Sequence, residues 1–158
     1  MRRLLKFLHT LGAAGLMGAA AALAVVLMLA PTSISSPSYV ALVAATAQVA
    51  TWIIGPSMVL TILSGLLAMV VTPAFQDAGW VWGKAATGIL ILQAGLHVLG
   101  PIQEEARRAS ATLLEGADPA GAARLLEAEV NTLWVLLAVS VVNIALGVWR
   151  PRFPKYPV

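Results

Sequence analysis

The chain has 158 residues, 59% of them hydrophobic and 11% charged, with mean hydropathy +0.87 and a net charge of +3. Soluble domains carry about 25% charged residues, so this composition excludes an ordinary water-soluble domain and points to lipid. There is no cysteine, which excludes disulfides, thiolate catalysis, thiolate metal sites and cysteine-held iron–sulfur clusters.

Four apolar stretches follow one another, at Leu4–Ala30, Thr51–Thr72, Trp80–Gly100 and Val130–Trp149. Each approaches the roughly 20 residues that cross a ~30 Å hydrocarbon layer as a helix. The first opens with Arg2, Arg3 and Lys6 and resembles a signal peptide at its start. Its apolar run, Phe7–Ala30, is longer than the roughly 7–15 residues of a signal core, so a retained helix over 4–30 is expected. Ala14, Gly18 and Ala22 form a small-residue line on it, with Gly12 and Gly15 adding a surface for close helix approach.

The second helix is expected over 38–72, too long for one crossing. Its polar and small face is Ser57, Thr61, Ser64, Gly65 and Ala68. Pro56 lacks the N–H that would bond the carbonyl of Trp52, so an interruption is expected there. A short connection, Pro73–Gly79, leads to a third helix over 80–115. Pro101 withholds the bond to the carbonyl of His97. Gly116 is the expected stop, and Asp118-Pro119 reads as an N-cap followed by proline in the first turn. A fourth helix over 119–149 carries Ser140, Asn143 and Gly147 on one face. The chain is therefore expected to be one all-α transmembrane domain, 1–158. Its architecture is an up-down-up-down four-helix bundle whose helices 2, 3 and 4 extend beyond the outer membrane surface.

Basic residues orient the bundle. With the N-terminus cytoplasmic, Arg2, Arg3, Lys6, Lys84, Arg150, Arg152 and Lys155 lie inside, and Arg107, Arg108 and Arg124 lie outside. The positive-inside rule favours this arrangement, with both termini cytoplasmic in a bacterial inner membrane. Most of the acids (Glu104, Glu105, Glu115, Asp118, Glu127, Glu129) then fall on the outer side, where Glu104 and Glu105 read as solvated charges and Glu104–Arg108 as an i,i+4 pair. Trp80, Trp82 and Trp149 mark the inner interface, Trp52 and Trp134 the outer one.

Few residues are fit for chemistry. His9 lies about two turns into the first helix, and His97 near the outer interface of the third. Imidazoles inside a membrane are costly, so both are candidate ligands for haem or metal. His9 also fits an interfacial histidine bonded to a carbonyl or head group, and His97 a polar packing residue. Placed on opposite leaflets, the two cannot clamp one haem within a monomer. Gln93, His97, Gly100 and Glu104 share one face of the third helix, which makes His97 and Glu104 the candidate metal residues. Lys84 is expected to snorkel to the inner head groups. No glycine-rich phosphate loop, hydrolase triad or paired-histidine zinc motif is present, and the basic termini orient the chain in lipid and do not form a nucleic-acid surface.

Leu5–Gly12 (LKFLHTLG), Gly55–Gly65 (GPSMVLTILSG), Pro101–Arg108 and the terminal Trp149-Arg150-Pro151 together resemble a family of bacterial four-helix integral membrane proteins of unassigned function. That family is distantly similar to the copper-resistance membrane protein group and to the membrane protoporphyrinogen oxidase group. In the latter a first-helix histidine ligates haem b, and the resemblance implies that role for His9. Gly15-Leu16-Met17-Gly18 replaces that group's aromatic-Gly-Gly stretch, and the second helix has no lysine. Three expectations follow. One is a haem b or redox-associated protein using His9, His97 or both, completed by a second protomer if it dimerises. Another is a non-catalytic accessory or assembly subunit whose projecting helices dock a membrane partner. The third is a copper or other metal handler using His97, Glu104 and methionines.

Overall fold

The computed structural model describes residues 2–30, 37–72, 78–115 and 119–149, with side chains at 2 and 111–126 outside that description. Helix α1 spans Arg2–Met28, α2 Pro37–Val49, α3 Gly55–Val71, α4 Gly79–Glu115 and α5 Pro119–Trp149. A π-turn at Ala50–Ile54 joins α2 to α3, so the two make one interrupted crossing. All four crossings are long and apolar enough to span a bilayer. The described residues are helical apart from short ends, and the four-helix bundle expected from the hydropathy pattern is the observed fold.

The interruption at Pro56 takes a form the sequence reading did not anticipate. The N–H of Gly55 bonds the carbonyl of Ala50, five residues back. That wider turn places Pro56 in the first turn of α3, where a missing N–H costs little. The hydroxyl of Thr51 bonds the carbonyl of Ala47, and Gln103 of α4 donates to Thr51 at 3.1 Å. The helix changes neighbours at this point. Below the π-turn α3 runs along α1, and above it α2 runs along α4. Helix α5 packs on both α4 and α1 and closes the ring. Pro101, in contrast, sits within a continuous α4.

The core is built from Leu16, Ala20, Leu23, Ala24 and Leu27 of α1, with Ile54, Met58, Ile91, Val98, Ile102, Leu133 and Leu136 facing them. The outside is as apolar as the inside. Leu29 is 78% exposed, Val70 70% and Val148 69%. Water would penalise such a surface, whereas acyl chains accept it. Trp52, Trp82, Trp134 and Trp149 also point outward, as interfacial indoles do. The chain is thus a multi-pass integral membrane protein.

The small-residue line of α1 does not meet the other helices of the bundle. Ala14, Gly18 and Ala22 are exposed, and nothing lies within 4 Å of a Cβ built on Gly18. They stand two residues, about 200°, around the helix from the Leu16 stripe that enters the core. Gly12 and Gly15 are the glycines that meet α3. The expected stop at Gly116, the cap at Asp118, residues 73–77 of the inner connection and the basic residues Arg150, Arg152 and Lys155 lie outside the described residues.

Candidate functional site

The α1–α3 seam is made close by two small faces. A Cβ on Gly12 would lie 2.8 Å from the carbonyl of Ser57 and 2.9 Å from the amide of Thr61. Thr61 turns its hydroxyl inward along α3 to the carbonyl of Ser57, at 2.7 Å. The expected polar face Ser57–Thr61–Ser64–Gly65 is therefore the face that meets α1. Close approach brings His9, one turn before Gly12, onto the backbone of α3. A Cβ on Gly65 would come within 3.3 Å of His9 Cε1, so the absent side chain makes room for the ring.

His9 Nδ1 lies 2.8 Å from the carbonyl oxygen of Thr61. A carbonyl only accepts, so Nδ1 carries the hydrogen and donates it. Ser64 Oγ stands 3.3 Å from the same nitrogen and donates its own proton to the carbonyl of Leu60. With Nδ1 protonated, the neutral ring keeps its lone pair on Nε2. No described residue hydrogen-bonds that nitrogen.

Lys84 lies near enough to His9 for their charges to interact. It does not simply extend along its own helix. Its Nζ lies 2.9 Å from where a Cβ on Gly147 would be, so the side chain is tucked against α5 and half-buried. Asn143 ties the same two helices by donating to Thr87 Oγ1 at 2.7 Å and to the Lys84 carbonyl at 3.2 Å. One end of the bundle thus holds His9, Ser64, Lys84, Thr87 and Asn143.

His97 is in a different place. It is exposed, on the outer wall of a groove of about 400 Å³ between α4 and α5. Gln93, Asn131, Thr132 and Val135 share the lining. Gln93 Nε2 lies 3.1 Å from His97 Nε2. The two histidines belong to different helix pairs, and no described contact joins them. Glu104 is also held apart from His97, because Arg108 Nε binds it at 3.0 Å and Arg107 approaches at 3.8 Å. Among the described residues no three His, Asp or Glu side chains gather where they could hold a metal.

The acids differ from expectation in one respect. Glu104 is the surface ion-pair residue foreseen, but Glu105 is buried, with only 6% of its surface exposed. Its neighbour in sequence points out while it points in, because adjacent helical residues diverge by about 100°. Glu129 on α5 is buried as well, at 5%. Sequence reasoning missed this pair. The available signal was period: Val98, Ile102, Glu105 and Ala109 continue one stripe of α4, all buried.

No curated protein and no solved structure matches the chain. A family described as predicted integral membrane protein (DUF2269) matches residues 3–151, from the basic start of α1 to just past the end of α5. The chain belongs to this integral membrane protein family.

Proposed function

We propose that the protein binds haem b within the membrane through His9 and takes part in membrane redox chemistry. The observation that carries this reading is the commitment of His9 Nδ1 to the Thr61 carbonyl, with no described partner on Nε2. Ligand histidines are commonly oriented by such a bond, which fixes the tautomer and raises the basicity of the free nitrogen. The donor chemistry at this end supports the reading. His9 would supply a nitrogen ligand, and the Lys84 ammonium a cation for a propionate carboxylate. Bound haem would supply one-electron oxidation and reduction. The chain's own part is to hold the imidazole on α3 and to surround it with apolar helices. By the distribution of Lys and Arg, this end faces the cytoplasm of a bacterial inner membrane and both termini are cytoplasmic. A cysteine replacing Gly116 is then labelled by an impermeant reagent from the opposite side.

The test is an absorption spectrum of detergent-purified protein expressed with haem supplied, air-oxidised and then reduced, with a pyridine haemochrome assay. A reducible b-type spectrum near one haem per chain is expected, lost in His9→Ala and retained in His97→Ala. Retention in His9→Ala overturns the assignment of the ligand. A colourless protein overturns haem binding and favours a second reading, an accessory subunit. The observation behind that reading is the outward groove, where Gln93, His97, Asn131 and Thr132 present polar groups on an otherwise apolar face. Such groups in a bilayer are satisfied by a neighbouring helix.

A further inference from the structure

Three helices converge on two acids at the end of the bundle away from His9. Glu105 comes from α4 and Glu129 from α5, each about 95% buried. Tyr39 of α2, fully buried, donates its hydroxyl to Glu105 Oε1 at 3.0 Å. The carboxyls are close enough for their charges to repel. Glu129 Oε1 is shielded from solvent and has no hydrogen-bond partner among the described residues.

Among the described residues no cation compensates the pair. On α4, Arg107 and Arg108 turn outward to Glu104. On α5, Glu127 is exposed. Helix α2 contributes Tyr39 and no charged residue, and α1 has none after His9. No described Lys or Arg forms an ion pair with Glu105 or Glu129. An ionised carboxylate buried without a partner is costly enough that the group is normally neutralised instead. Two carboxylates in one site compound that cost. Hard metal ions want six or more oxygens, supplied by protein or retained water. A proton needs no added room, and it supplies the donor that the orphan oxygen lacks.

We propose that Glu105 and Glu129 form a proton-binding site, one proton held by the buried pair with Tyr39 fixing the Glu105 side. The site joins α2, α4 and α5. Proton release puts a second negative charge into the buried pair and loosens that junction.

Infrared spectroscopy of the full-length protein in H2O and D2O tests this. At neutral pH a protonated-carboxyl C=O band is expected, shifted in D2O, removed by alkaline titration and missing from the Glu105→Gln/Glu129→Gln double variant. Melting profiles give a second readout: the wild type loses stability with rising pH, and the double variant has a flatter profile. Absence of the wild-type band at neutral pH overturns the proposal, even if the variant fails to fold. So does a band or melting profile unchanged in the double variant. A wild-type melting shift with Mg²⁺ or Ca²⁺, without a protonated-carboxyl band, replaces the proton with a metal ion and equally overturns it.

Discussion

The two polar ends of this bundle solve the same problem in different ways. Tyr39 and Ser64 lie on the one interrupted crossing, 25 residues or about 37 Å apart by the helix rise. At the Ser64 end, polar groups reach backbone: His9 the Thr61 carbonyl, Ser64 that of Leu60, and Asn143 that of Lys84 besides the Thr87 hydroxyl. Gly12 and Gly65 let α1 and α3 approach closely enough for the His9 bond to reach. At the Tyr39 end, side chain meets side chain, and of two buried acids Glu105 receives the Tyr39 hydroxyl. The first end leaves a lone pair without a described partner, and the second leaves a carboxyl oxygen without one. A lone pair on nitrogen suits coordination, and a buried oxygen calls for a proton.

The comparison breaks most severely at Gly12. A Cβ there would come within 3 Å of α3 backbone, so Gly12→Leu is expected to force the α1–α3 seam apart and cost about 3 kcal/mol or more. Gly18→Leu is the control, since that position faces open space. Thermal unfolding in detergent should separate the two, and equal stability would show that the seam is not close-packed. At the other end, Tyr39→Phe removes the hydroxyl donor to buried Glu105 and is expected to cost about 1–3 kcal/mol. Unfolding of Tyr39→Phe that matches the wild type would remove the side-chain junction from the account. The smallest effect is at the surface. Glu104→Gln breaks an exposed pair with Arg108 and should change stability by about 0.5 kcal/mol or less. A larger loss there would place Glu104 with the buried acids.

Much of this was legible in the sequence. Hydropathy revealed four helical crossings, because a bilayer imposes length and polarity on each helix separately. The face Ser57, Thr61, Ser64 and Gly65 was legible for a related reason: polar and small residues in lipid seek other helices. What one helix cannot encode is rotation relative to its neighbours. Ala14, Gly18 and Ala22 have the spacing of a packing stripe but face outward, while Gly12 carries the contact. Glu104 and Glu105 are chemically the same, and only the position of α2 and α5 decides which one is buried. The π-turn was hidden because Pro56 signals a missing bond without saying how the backbone accommodates it. His9 was marked as a candidate by residue type alone. Its committed nitrogen depends on a partner 52 residues away.

The account rests most directly on the tautomer of His9. Nitrogen-15 spectra of histidine-labelled, haem-free protein carrying His97→Gln report a single imidazole. The account predicts a protonated Nδ1, hydrogen-bonded to a carbonyl, and an unprotonated Nε2 that shifts when haem is added. A proton on Nε2, or an Nε2 signal indifferent to haem, would contradict it.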